Sequence, residues 1–405
     1  MKPRLTGLML LIPLVLSSPL LGGTVEEAAE EKKPVDISGK LYLQWGKQMK
    51  HQYEGMDSAD DKEHVNSFEL KRAYLTFGKE LDEIWSIKVT LDAKRQDSTG
   101  QYMVFIKNAY GQGKFKLSPV TLKARAGMIP NAVTGLIDNM SDYRWLNDNY
   151  LSGARSLLYY SPTKSTPGQY MEYTADMGAG LSLDVYKKAE LALQVTNGEG
   201  FEGKDEKANS GAAAEDGKGG NDDGKAYLGM LTIKPFEDLA LAGYYKTRET
   251  QDEKYRSDNR VSYYGGTVAY SHKYIKAGFS YILGNSRWKT ADAVPDASPV
   301  KRKYQIADAY LLANLKRAVG LPFLMAGRYA VGITKYDQGY AEEIKGKKST
   351  VTLWAAGAGY AFNKFVRLMA YYEHQKSKTT LDENTPVQGW KSANRTVYIK
   401  SEFVF

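Results

Sequence analysis

The chain has 405 residues, of which 42% are hydrophobic, with 30 Tyr, 38 Gly, no Cys and a formal net charge of +8. A mean hydropathy of −0.48 excludes a bundle of apolar membrane helices, and the absence of Cys excludes disulfides and a lipid-modified cysteine anchor. Tyr and Gly in these numbers suit strands, turns and interfacial girdles rather than packed helices.

Residues 1–23 read as a secretory signal peptide. Lys2 and Arg4 give a positive start, Leu5 to Leu16 an apolar stretch, and Ser17, Ser18, Pro19, Gly22 and Gly23 a small-residue exit. The stretch is too short and too flanked by breakers to span a bilayer. Cleavage is expected near Gly23, and a Leu three residues before that bond leaves the exact position open. Without Lys2 and Arg4 the mature chain carries a net charge of +6. Residues 24–35, with the charged run VEEAAEEKK, are expected to form a short periplasmic lead-in, and 36–405 a single barrel domain.

From residue 37 the pattern changes to period two, the mark of strands with two unlike faces. Ile37, Leu41, Leu43 and Trp45 share one face, and Ser38, Lys40, Tyr42 and Gln44 share the other. Trp85, Ile87, Val89, Leu91 and Ala93 alternate with Ser86, Lys88, Thr90, Asp92 and Lys94. Val120, Leu122, Ala124, Ala126 and Met128 oppose Thr121, Lys123, Arg125 and Gly127. Ile275, Ala277, Phe279, Tyr281 and Leu283 oppose Lys276 and Ser280.

In chain order the expected strands are 37–46, 66–78, 84–94, 102–110, 119–128, 171–185, 189–197 and 226–234. They continue as 239–249, 260–271, 275–284, 304–315, 321–334, 350–362, 365–376 and 394–405. Short turns and long polar loops alternate between them, as in a transmembrane antiparallel β-barrel. Sixteen is even and leaves 129–170 as a long third loop. Eighteen is the alternative, if 155–160 begins an extra strand.

Lipid leaves unpaired backbone groups without solvent, so a spanning sheet must close. The apolar series then faces lipid and the charged series faces the lumen. Trp45, Trp85, Tyr244, Tyr245, Tyr371, Tyr372 and Phe405 are assigned to interfacial girdles. The terminal strand carries Val397, Ile399, Phe403 and Phe405 on one face. Its final Phe405 resembles the sorting signal read by the outer-membrane barrel assembly machinery.

Several segments resemble the phosphate-selective porin O and P family: FELKRAYLTF (68–77), WSIKVTLD (85–92), FIKNAY (105–110), AGMIP (126–130), VTNGEGF (195–201) and GRYAVGITKYD (327–337). The resemblance spans nearly the whole mature chain. It implies a sixteen-stranded homotrimeric outer-membrane porin, passing small hydrophilic solutes by passive diffusion, with anions such as phosphate among them.

On the lumen phase, Lys88, Lys123, Arg125, Arg328, Arg72, Lys246 and Arg367 are the expected pore-lining cations. Arg72 is awkward, because Phe68 and Leu70 fall in register with it, so either a bulge intervenes or those two face the upper lumen. In the third loop, Asp138, Asp142, Arg144 and Asp148 are candidate constriction residues. An acidic loop facing a basic wall would set up a transverse field, unless the loop instead lies over the mouth.

The four His, at 51, 64, 272 and 374, fall in expected loops or at strand ends, with no Ser–His pairing. His51 and His64, flanked by acids in the first loop, are the one metal-binding alternative, against the ordinary reading of scattered loop His as solvated. No enzymatic activity, cofactor or nucleic-acid partner is therefore expected. The partners expected are small anionic or polar solutes and outer-membrane lipid. The alternative function is a structural or partner-filled barrel, a sheath or anchor with little conductance.

Overall fold

A strand in hydrocarbon must find all its backbone partners in other strands, so a spanning sheet is stable only when its two edges meet. A computed structural model describes residues 34–54, 66–95, 101–141, 173–198, 225–252, 257–288, 300–315, 319–338, 348–380 and 391–405. Residues 1–23 and most of the expected lead-in lie outside the described residues. The first eight strands are β1 (Asp36–Glu54), β2 (Asn66–Glu80), β3 (Trp85–Arg95), β4 (Tyr102–Leu117), β5 (Val120–Pro130), β6 (Ala175–Val185), β7 (Ala189–Thr196) and β8 (Ala226–Phe236). The others are β9 (Leu239–Asp252), β10 (Ser257–Ser271), β11 (Ile275–Trp288), β12 (Val300–Asn314), β13 (Phe323–Gln338), β14 (Lys348–Ala361), β15 (Val366–Thr380) and β16 (Lys391–Val404). A helix, α1 (Ala132–Ser141), follows β5.

Each strand pairs antiparallel with its chain neighbours, and β1 pairs with β16, which closes a sixteen-stranded barrel. The expected count and order hold. The seam is locked at its end by two backbone bonds, Gly39 N to Phe405 O at 2.8 Å and Phe405 N to Gly39 O at 3.1 Å. The Phe405 ring lies directly over Gly39, where a Cβ would come within 2.2 Å of it.

Several strands outrun their expected ends, and the reason is solvent. β1 continues from Gly46 to Glu54, pairing with β16 as far as Glu54 opposite Lys391. Beyond the bilayer both faces of a strand meet water, so hydrogen bonding continues after the apolar alternation has stopped.

Within the bilayer zone the two faces separate cleanly. Trp85 and Ile87 of β3 are exposed on the outer face, while Thr90 and Asp92 are buried on the inner one. In β2 the pairing steps from Tyr42–Arg72 to Leu43–Leu70, leaving Lys71 as a bulge. That single extra residue reverses the phase, so Arg72 points inward while Phe68, 86% exposed, looks out. The conflict in the FELKRAYLTF segment is thereby resolved. Two girdle assignments are corrected: Tyr244 and Tyr371 are buried on the inner face, whereas Trp85 and Tyr245 are exposed on the outer one. Both tyrosines stand one residue from an outward aromatic, Tyr245 or Tyr372, so adjacency to an aromatic could not assign their phase.

Gly127 in β5 has φ +121°, and a Cβ there would lie 2.3 Å from the Ala109 carbonyl oxygen of β4. A backbone atom cannot swing aside as a side chain can. Gly127→Ala is expected to cost about 1–3 kcal/mol, read as a lower denaturant midpoint for the detergent-folded barrel.

Candidate functional site

The interior is divided by what the third loop does at its start. β5 delivers buried Ile129 and then Pro130, and the chain turns inward at Asn131. The Asn131 side-chain oxygen caps α1, accepting from the backbone N–H of Val133 and of Thr134, both at 3.0 Å. Gln194, on the inner face of β7, grips the same turn twice. It accepts from Ala132 N at 3.0 Å and donates to the Pro130 carbonyl at 2.8 Å.

So fixed, α1 lays Val133 and Ile137 against an apolar patch of the inner wall. The patch includes Leu228 and Met230 of β8, Tyr263 of β10, Ile282 of β11, Ile306 of β12 and Leu353 of β14. Full burial of two such side chains stabilises the docked helix by about 1.5–3 kcal/mol each. The first part of the 129–170 loop therefore runs inside the barrel, and it brings Asp138, half-buried, with it. Asp142, Arg144 and Asp148 lie outside the described residues.

The structure places all seven sequence-selected cations on the interior face, but in unlike surroundings. Arg328 donates to both carboxylate oxygens of Asp308, Nε to Oδ1 at 3.2 Å and Nη2 to Oδ2 at 2.7 Å. Both side chains are almost wholly buried, at 2% and 0% exposure. Arg72 binds Asp92 at 2.6 Å, with Asp92 fully buried. Arg367 is ion-paired to Glu402, which also accepts from the Tyr42 hydroxyl at 3.0 Å. Lys246 is buried on the inner face of β9. Near it, Arg248 donates to the Gly198 carbonyl at 2.8 Å and tethers the exit of β7.

Lys88, Lys123 and Arg125 belong to a different environment, an arc on β3, β4 and β5 toward the end that carries the short turns. Lys88 stands opposite Tyr110, Arg125 opposite Gln112, and Lys123 directly opposite Lys114, with Lys116 opposite Thr121. Among the described residues, no carboxylate lies within ion-pair distance of Lys88, Lys114, Lys116 or Lys123. Arg125 rests on neutral partners: Nε donates to Gln112 at 2.8 Å, and the guanidinium is 5.6 Å from the Tyr110 ring centroid. The two interior acids nearby are engaged locally, Glu190 by the Ser182 hydroxyl and Asp184 by the Lys187 backbone N–H at 2.8 Å.

Lys114 and Lys116 were missed in the sequence, because β4 was expected to stop at residue 110. The signal was present in the polar even positions Tyr110, Gln112, Lys114 and Lys116. Gly111 and Gly113 blanked the apolar phase that should have opposed them. No group of His, Asp and Glu residues suited to hold a metal occurs among the described residues.

The sequence matches no protein-family model and no curated protein. Its fold is that of solved outer-membrane barrels. OmpT of Vibrio cholerae aligns with TM-score 0.56 at 11% identity, over 92% of this chain and 97% of that one. The outer-membrane channel DcaP of Acinetobacter baumannii gives 0.56 at 13%, over 92% and 97%. An anion-selective porin from Comamonas acidovorans gives 0.53 at 14%, over 92% and 99%. At such identity the likeness is one of fold, the closed antiparallel β-barrel that these outer-membrane proteins share.

The Arg328–Asp308 pair yields a stability test. Asp308→Asn removes the negative charge that Arg328 grips through both carboxylate oxygens and is expected to destabilise the barrel by about 3–5 kcal/mol. Replacing both, as Arg328→Met with Asp308→Leu, is expected to restore most of that loss in the same denaturant titration.

Proposed function

We propose that the chain forms a porin-type passive diffusion channel in the outer membrane, admitting small hydrophilic solutes and favouring anions, phosphate included. The observation that carries this reading is the arc of Lys88, Lys114, Lys116, Lys123 and Arg125 on the inner wall, with its charge left uncompensated by described carboxylates. Like charges at adjacent register positions repel, and a mobile anion between them relieves that repulsion. In a narrow passage with low-dielectric walls the field of such an arc is focused, which raises the local anion concentration.

The other interior cations have a different part. Arg72, Arg328 and Arg367 are matched to Asp92, Asp308 and Glu402, so they hold the wall together and contribute little net field. α1 fills the side of the lumen formed by β8 to β14 and leaves the solute path beside the charged wall. Asp138 on α1 supplies a negative group on the far side of that path. Selection by such an arrangement is graded and electrostatic, with no stoichiometric binding step.

The remaining parts of the proposal concern delivery and assembly. Residues 1–23 direct export, residues 24–35 form a periplasmic lead-in, and Phe405 engages the assembly machinery before it closes the seam against Gly39. A homotrimer agrees with the family resemblance, and an OmpT of Vibrio cholerae with the same fold has been solved in a trimer form.

The test is single-channel recording in planar bilayers under a KCl gradient. The wild-type barrel is expected to show open steps with a chloride-favouring reversal potential. Lys123→Ser with Arg125→Ser is expected to move that potential several-fold toward potassium in permeability ratio while steps persist. A folded barrel that gives no steps overturns the channel, and steps that favour potassium in the wild type overturn the anion preference.

A further inference from the structure

The outer face of the barrel carries a second basic cluster, which faces away from the lumen. On β10, β11 and β12 the outward side chains are apolar through the bilayer zone. Tyr264 and Val268, Phe279 and Tyr281, and Leu311 are all exposed there. Toward the long loops the same face turns cationic within one or two outward positions. Arg260, Arg287 and Lys301 stand side by side on three neighbouring strands. In the adjacent row Lys303 faces Lys335, which faces Lys348.

The level of this change follows from strand length. A tilted strand crosses the hydrocarbon in about 9–11 residues. Counting from exposed Ile275 at the turn end of β11, Asn285 and Arg287 are the first outward positions beyond that span. This end bears eight connections, including the longest, and lies opposite the start of β1 and the end of β16, which makes it the extracellular side. The cluster thus lies at the headgroup level of the outer leaflet. It is also concave: Arg260, Ser262, Asn285, Arg287, Lys301 and Lys303, together with Ser286 and Arg302, which are buried on the opposite phase of β11 and β12, line a recess of about 230 Å³. Glu249 stands opposite Arg260 at one edge of the patch.

Two successive rows of cations at the headgroup level form one basic surface, and a bound polyanion would bridge the rows with charge-assisted hydrogen bonds from guanidinium and ammonium groups. We infer that this recess binds the phosphate groups of the phosphorylated glycolipid of the outer leaflet, whose acyl chains lie along the apolar strip of β10–β12. The lipid would act as a structural ligand on the outer wall.

The test uses the detergent-folded full barrel titrated with fluorescently labelled lipopolysaccharide, and with the same glycolipid after enzymatic removal of its phosphates. The wild type is expected to bind the phosphorylated form at least tenfold more tightly than the dephosphorylated one. The triple variant Arg287→Ser, Lys301→Ser, Lys303→Ser is expected to lose that difference. Lys376→Ser, elsewhere on the outer face, is expected to retain it. Heat-modifiable migration of each variant reports folding. If the triple variant does not fold, Lys301→Glu alone is expected to weaken binding several-fold. Unchanged binding by a folded triple variant, or by folded Lys301→Glu, overturns the inference. So does full competition by inorganic phosphate at concentrations equal to the lipid, since the site would then take the free ion.

Discussion

Everything in this structure depends on the hydrogen bonds between β1 and β16. A sheet in lipid with two open edges would leave a row of N–H and C=O groups at each without partners. Joining the edges removes that cost and at the same time creates an inside and an outside. The two faces of every strand then meet different solvents, and the period-two pattern records the difference. Phe405, lying over Gly39, completes the seam where the first and last strands meet.

Closure creates a second requirement, because the inside must be either wet or filled. The wall formed by β15, β16 and β1 to β5 is lined with charge. The wall from β8 to β14 carries Leu228, Met230, Tyr263, Ile282, Ile306 and Leu353, which could not face water at little cost. α1 covers them. The interior charges divide in the same economical way, some neutralised within the wall and others concentrated in one arc. A tally of lumen-phase cations, as made from the sequence, treats Arg328 and Lys123 alike. The structure separates them by whether a carboxylate shares their strand neighbourhood.

Strand number, order and facing were legible, because membrane-zone alternation is imposed residue by residue. The phase break at Arg72 was visible too, and one bulge explains it. The inward helix was only half legible. AYLGMLTI (226–233) and VTLWAA (351–356) are apolar in both phases, a sign that their inner face is covered by protein, but nothing local says which segment covers it. The ion pairs were not legible. Asp308 lies twenty residues before Arg328 in sequence, and only the β12–β13 register makes them partners. The arc on β4 was obscured by glycines, and the outward cationic rows by expected strands that ended too early at Gly284 and began too late at Tyr304.

The seat of α1 also fixes an order of events. The helix comes from residues 132–141, yet its apolar face rests on strands that begin at Ala226 and end at Ala361. Contacts so distant along the chain form only after the intervening loops have been closed. Docking of the helix is therefore a late step, possible once the second half of the sheet has curved round to meet it. Until then the Asn131 cap and the Gln194 grip can already hold the entry turn, since β5 to β7 suffice for both. A barrel arrested before its last strands join would carry a preformed hook without a resting place, and an oily stripe open to water beside it.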